Sequence, residues 1–276
     1  MNPMNRRRFL RGVAATALAA KGLGRAQNTP RPRVGLQLYT LRDLLGDRFK
    51  ETLEQVAAMG YKGVEFAGIY GGLSPTEVKG FLGRLGLEAA GLHVSLEQLE
   101  HDLDGQVALA HTLGAPYLVC PWIEPQLRGS ETRWRGVFGR LERLGRACRS
   151  AGIQLAYHNH DFEFEEKIAG QPVFDALFAS APSLEVELDI AWAHAGGHDP
   201  AAYLRKYAGR TPLTHLKDLK GRQTVELGRG EVPVEAAVRA ALSSGVRWLL
   251  VEQDDSPKPL ESARLSLEWL RSRGFV

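Results

Sequence analysis

Cysteine is nearly missing from this sequence. Cys120 and Cys148 are the only two among 276 residues, too few for a disulfide framework. On the strand–helix rhythm read below, one would end a strand and the other would lie late in the following helix. That distance is too great for a bridge. No glycine-rich phosphate loop follows the first apolar run, which removes the support for an open dinucleotide-binding sheet. No low-complexity tract and no basic phosphate cradle is visible. The apolar stretch near the start, from Gly12 to Ala20, is too short and too alanine-rich to anchor stably in a bilayer.

Acidic residues are absent from the first 26 positions, which carry Arg6, Arg7, Arg8, Arg11, Lys21 and Arg25. The run Asn5-Arg6-Arg7-Arg8-Phe9-Leu10-Arg11 is a twin-arginine pattern, and Gly24-Arg25-Ala26 offers a small-residue cleavage site. Residues 1–26 therefore read as a Tat-type export signal, recognised by the Tat translocase. The expected location is periplasmic or extracellular. Six of the 35 basic residues belong to the signal. The remainder holds 29 basic against 32 acidic residues, a net of −3, so a nucleic-acid partner loses its electrostatic support.

What is present is a rhythm. After a stiff linker over 27–33, the spacing predicts strands at Val34–Tyr39, Gly63–Phe66, Glu88–His93, Tyr117–Pro121, Ile153–Asn159, Leu184–Asp189, Leu213–Lys217 and Trp248–Glu252. Helical patterns follow each strand: Phe49–Met59, Ser74–Leu85, Ser95–Leu113, Arg133–Ala151, Val173–Ala179, Asp199–Tyr207, Val234–Ser244 and Leu260–Arg271. Ser74-Pro75-Thr76-Glu77 supplies a cap, a proline at the first helical position and an acid three residues on. Eight such pairs imply a single (β/α)8 TIM barrel over residues 34–276, a fold whose chemistry sits at the C-terminal ends of the strands.

Strand parity selects the inward side chains. Ile153, Leu155 and Tyr157 should pack outward on helices, which turns His158 and His160 inward. The same reasoning points Glu187 and Asp189, His215 and Lys217, and Glu252 into the barrel. From the first three strands it points Gln37 and Tyr39, Glu65 and His93 inward. His158, Asp189, His215 and Glu252 together form a donor set for one divalent cation, Mn²⁺, Zn²⁺, Co²⁺ or Mg²⁺. Without a cation such groups would repel or be desolvated. Lys217 can offset carboxylate charge or contact a substrate oxygen. Asp218 and Asp254 are expected to cap or pair at loop starts. Trp122 and Trp192 stand at strand ends, where aromatic rings either stack on sugars or lid the core.

The segments from Gly35-Leu36-Gln37-Leu38-Tyr39 to Val251-Glu252-Gln253-Asp254 resemble the sugar phosphate isomerase/epimerase family with the xylose isomerase-like barrel. That group also includes endonuclease IV-like proteins and inosose dehydratases. The resemblance implies metal ligands from strands five to eight, typically Glu, Asp, His and Glu. Asp189, His215 and Glu252 match the last three. At the fifth-strand position stands His158, so either His158 replaces the usual Glu or Glu163 reaches back from the loop. The family chemistry implied is enolisation of a keto-sugar or cyclitol. Glu252 would be the base and His158 or Glu163 its partner, while Gln37, Glu65, His93, His160 and Arg229 would hold substrate hydroxyls. An isomerase or epimerase is the first expectation. The Tyr157-His158-Asn159-His160 pattern is similar to inosose dehydratases and makes a lyase the second. A sugar-binding barrel without turnover is the third.

Overall fold

The computed structural model describes residues 31–276. The twin-arginine segment and most of the linker lie outside them. Eight parallel strands close into a barrel: β1 (Arg33–Gln37), β2 (Gly63–Phe66), β3 (Glu88–His93), β4 (Tyr117–Cys120), β5 (Gln154–His158), β6 (Glu185–Asp189), β7 (Leu213–Leu216) and β8 (Trp248–Val251). Closure comes from β1 pairing with β8, with Val34 opposite Leu249 and Leu36 opposite Val251. Around it run α1 (Phe49–Met59), α2 (Pro75–Leu85), α3 (Leu103–Leu113), α4 (Glu131–Ser150), α5 (Val173–Ser180), α6 (Pro200–Lys206), α7 (Val234–Ser244) and α8 (Pro259–Ser272). Among the described residues, no helix is long and apolar enough to cross a membrane.

Two apolar clusters follow from the alternation of each strand. The larger lies between strands and helices and contains Leu155, Tyr157, Val186, Leu188, Leu249 and Val251. The smaller fills the barrel itself: Ala90, Tyr117, Val119, Ala156, Leu213, Trp248 and Leu250. Trp248 plugs the N-terminal end. Its indole lies where a Cβ on Gly63 would meet it at 2.5 Å, so only glycine fits on β2 there. The Arg33 guanidinium stacks over the same indole at 4.1 Å and closes the floor from outside. Cys120 and Cys148 are buried free thiols.

Local chemistry shifts several expected boundaries. β1 starts at Arg33, one residue into the expected linker, and ends at Gln37 rather than Tyr39. The Gln37 side chain accepts a hydrogen bond from the Tyr39 amide and starts a 3-10 helix, Leu38–Leu44. The single helix expected over Ser95–Leu113 is two, Leu96–His101 and α3. Asp102 ends the first with φ −145° and ψ 59°, and its carboxylate caps the second through the Gly105 amide. A short acidic side chain competes here with the helix ladder and wins. Short elements invisible to the periodicity decorate the mouth, among them helices Phe162–Glu165 and Ile190–Ala195 and the hairpin Asp218–Lys220/Gln223–Val225.

Candidate metal centre

The strand ends of β5 to β8 deliver their polar tips to one point. His158 ends β5, Asp189 ends β6, His215 lies on β7, and Glu252 follows β8. One ligand atom from each lies within 4.8 Å of the others, and all four residues are buried. Asn159 fixes the second of these positions. Its side-chain oxygen accepts from the Asp189 amide at 3.0 Å and its amide donates to the Asp189 carbonyl at 3.2 Å. Asp189 Oδ1 is committed to the Ala191 and Trp192 amides at 2.8 and 2.9 Å, capping the helix that begins there. Its Oδ2 is buried with no hydrogen-bond partner; the nearest cation is Lys217 Nζ at 3.2 Å. A buried carboxylate oxygen left in that state is costly. Two imidazoles, two carboxylates and that free oxygen fit a divalent cation.

Beneath this set lies a second layer. His215 presents Nδ1 to Glu252 Oε2 at 2.8 Å and Nε2 to Glu65 Oε2 at 2.7 Å. Gln37 donates to the same Glu65 oxygen at 2.8 Å. Gly91 makes room for it, since a Cβ there would come within 2.6 Å of Glu65 Oε1. Glu187 Oε2 is approached by His93 Nε2 at 2.8 Å and by His158 Nδ1 and His215 Nε2, each at 3.3 Å. Burial alone would lower the His215 pKa, but Glu187 and Glu252 outweigh it and raise it well above the usual value. His93 behaves likewise, burial being outweighed by Glu65 and Glu187, and its pKa rises to about 9. His158 goes the other way: burial, then His215 and His93, hold it neutral. Burial would raise the Glu252 pKa, yet Lys217 and His215 hold it well below the carboxylate range. Without a cation, therefore, protonated imidazoles and Lys217 balance the carboxylates.

Above the ligands opens a cavity of about 460 Å³, lined by Tyr39, Ala67, His93, Pro121, Trp122, His158, His160, Lys217, Glu252 and Asp254. One wall is apolar and aromatic, the other ionic. Trp122 meets His160 edge-on at 4.8 Å. Lys217 is 1 % exposed, with Nζ 2.9 Å from Glu252 Oε2 and 2.8 Å from Asp254 Oδ1. Burial pushes the Asp254 carboxyl up to about 6, against the pull of Lys217. Asp254 thus belongs to the cavity wall, which the sequence assigned only to loop pairing.

Several expected site residues lie elsewhere. Arg229 does not line the cavity; it pairs with Glu226 at 3.1 Å on the outer surface. Its loop is fastened by the buried Asp218 carboxylate, which accepts from the amides of Leu219, Gly228, Gly230 and Val232. Gln37 and Glu65 are fully buried beneath His215 and do not line the cavity. Glu163 does not reach back to the ligands. It is tied to the Tyr157 hydroxyl and to the His160 amide at 2.8 Å, and burial pushes its carboxyl up to about 8. Of Glu163 and His158, it is His158 that the structure brings together with Asp189, His215 and Glu252. Trp192 is not on the cavity wall either. It stacks behind His160 at 5.9 Å, with Lys217 Nζ 5.2 Å from its ring. Asn159 and Glu187 carry positioning contacts that the sequence reading did not assign; the inward parity of Glu187 was the available signal.

Comparison with known proteins agrees with this architecture. A family model described as xylose isomerase-like TIM barrel matches residues 53–273. An inosose dehydratase of Geobacillus kaustophilus is 26% identical over 277 residues, covering 82% of this chain and 88% of that protein. A sugar phosphate isomerase/epimerase from Parabacteroides distasonis superposes with a TM-score of 0.77 at 22% identity, covering 88% of this chain and 99% of that one. The IolI protein, solved with a bound zinc atom, superposes with a TM-score of 0.70 at 15% identity over 86% of this chain and 95% of that one. At these identities the two superpositions show the shared fold.

Proposed function

The chain belongs to the xylose isomerase-like TIM barrel family, and from that premise we propose that it is a metal-dependent lyase of keto-sugars or keto-cyclitols. It removes the proton beside a carbonyl and expels a neighbouring hydroxyl as water. His158, Asp189, His215 and Glu252 would hold the cation. When bound, a divalent cation at this position supplies polarisation of a carbonyl oxygen, which acidifies the adjacent C–H bond.

One observation carries the choice of reaction: of the two carboxylates in the candidate ligand set, only Glu252 lines the cavity. Asp189 has one oxygen tied to two amides. His158, with one nitrogen toward the ligand cluster, has Nδ1 turned to Glu187 at 3.3 Å. A neutral imidazole has a single lone pair, so as a ligand His158 has none left for a proton. Glu252 holds Oε2 against His215 and Lys217, and its side chain lines the cavity. Epimerisation requires proton removal on one face of the carbon and return on the other, hence two opposed acid–base groups. The candidate ligand set offers one such carboxylate to the cavity, while Asp254 beside it is ion-paired with Lys217, an arrangement that suits elimination. Glu252 takes the proton, the electron pair forms the carbon–carbon double bond, and the C–O bond breaks. The departing hydroxyl then leaves as water with the proton that Glu252 received.

Lys217 and His160 line the same cavity and are placed to bind substrate oxygens, and Trp122 offers an apolar face to a ring. The relatives named inosose dehydratase and the chemistry of the cluster both support this reading. The test is an NMR screen of ketoses, 3-keto-glycosides and inososes in D₂O with the Mn²⁺-loaded protein. Deuterium uptake beside the carbonyl together with a dehydrated product is expected. Glu252→Gln should slow the exchange by about 100- to 10,000-fold. Undiminished exchange in Glu252→Gln defeats the assignment. An epimer formed without water loss makes the protein an epimerase, and bound metal with no exchange makes it a binding protein.

A further inference from the structure

The ligand cluster has a reverse side. Three imidazole nitrogens converge on one carboxylate oxygen below the barrel mouth, Glu187 Oε2: His93 Nε2 at 2.8 Å, His158 Nδ1 at 3.3 Å and His215 Nε2 at 3.3 Å. The three rings crowd together, with centroids 4.5 Å apart for His158 and His215, 5.4 Å for His93 and His158, and 5.5 Å for His93 and His215. One ligand atom from each of these four residues lies within 4.8 Å of the others. Hydrogen bonding accounts for part of the arrangement, since His93 Nε2 bonds Glu187 at 2.8 Å and His215 Nε2 bonds Glu65 at 2.7 Å, but not for all of it. His158 Nδ1 and Glu187 Oε1 are buried without a hydrogen-bond partner, whereas buried polar groups in folded proteins are nearly always paired.

The upper and lower sets share His158 and His215 but use opposite nitrogens. His215 turns Nδ1 up toward Glu252 and Nε2 down toward Glu187. His158 turns Nδ1 down. The donor chemistry differs as well. The upper set has two imidazoles and two carboxylates. The lower has three imidazoles and one carboxylate, a set that suits Zn²⁺, while oxygen-rich sets suit Mn²⁺ and Mg²⁺.

We propose that His93, His158, Glu187 and His215 form a second cation station, selective for Zn²⁺, directly beneath the first. The two stations are alternatives, because one neutral ring cannot offer lone pairs on both nitrogens. An ion in the lower station takes both rings away from the upper one, so zinc is held out of reach of substrate and excludes the working ion. This rests on the reading of the upper station as the working site.

The test is crystallographic and calorimetric. Metal-free protein is crystallised separately with ZnCl₂ and with MnCl₂, and each ion is located by its own anomalous signal. Zinc is expected among His93, His158, His215 and Glu187, and manganese among His158, Asp189, His215 and Glu252. By titration calorimetry, Glu187→Gln should weaken zinc binding at least tenfold more than it weakens manganese binding, because Glu187 would ligate zinc directly but touch the manganese set only through His158 and His215. His93→Gln, at the edge of the cluster, gives the same zinc comparison should Glu187→Gln fail to fold. Zinc and manganese at one common position, or zinc affinity untouched by both substitutions, overturns the proposal. Manganese absent from the Asp189–Glu252 position would instead bring down the reading of the working site.

Discussion

Glu65 has no contact with solvent, and its Oε2 is met by His215 at 2.7 Å, Gln37 at 2.8 Å and His93 at 3.1 Å. A buried charge without such partners would be costly. Its role follows from the ring it touches. With Nε2–H donated to Glu65, His215 presents Nδ1 to an ion in the upper set, so the carboxylate favours that tautomer and aims the ring at the working site. Glu65→Gln should lower cation affinity about 10- to 100-fold by titration calorimetry with little change in far-UV dichroism; unchanged affinity would remove this role. Glu163 gives a second prediction. Its folded pKa of about 8 exceeds the ordinary 4.5 because burial disfavours the charge. Between those values the folded state holds a proton that the unfolded state has lost. Stability from this group is therefore complete below about pH 4.5 and is lost as pH rises through 8. Glu163→Gln should flatten the fall in urea stability between pH 5 and pH 9 by a few kcal/mol, at about 1.4 kcal/mol per unit. Parallel pH profiles for the two proteins would refute it. The four residues of the candidate cluster were legible in the sequence because each lies at or just past the C-terminal end of a strand whose apolar neighbours face outward. The surroundings of Glu163 and Arg229 were not, since one lies in a one-turn helix and the other in a loop, where no period of two fixes direction.

The elements that hold the site are the strand ends and the loops that follow them. The strongest fastening is at the end of β7, where the Asp218 carboxylate gathers four backbone amides from residues 219–232. Removing that carboxylate leaves the amides without their acceptor. Asp218→Ala should cost about 3 kcal/mol and speed hydrogen exchange at Gly228, Gly230 and Val232 before the barrel opens; unchanged protection at these amides would contradict the fastening. Ser74 and Pro75 mark the start of α2 as the sequence indicated, with Ser74 and Glu77 bonding each other's backbone amides. The break at Asp102 escaped the helical period because hydrophobic spacing continues across it. Only the capping geometry of a single aspartate divides the segment. The closing helices at the mouth, Phe162–Glu165 and Ile190–Ala195, are too short to carry a period at all.

At the scale of the molecule, eight alternating pairs leave few topologies open, and the closed barrel was readable from rhythm alone. What rhythm cannot show is electrostatic depth. The stacking of two ionisable layers, with Glu65 and Glu187 beneath the ligands, depends on how far each strand is sheared against its neighbour, which only the register fixes. That depth predicts strong coupling between metal and stability. A cation held at 100 times its dissociation constant adds about 2.7 kcal/mol, so chelation should lower the melting temperature by several degrees and Mn²⁺ should restore it. Melting curves indifferent to chelator would argue against any ion in the barrel.

The indole of Trp248, seated on Gly63 and roofed by Arg33, has a kinetic consequence. With that end corked, whatever arrives must also depart through the same doorway. On the proposed function, an ion admitted first would lie beneath a keto substrate and stay trapped until that substrate leaves. Chelators should accordingly strip the resting protein quickly and the ligand-filled protein slowly, at the pace of ligand escape.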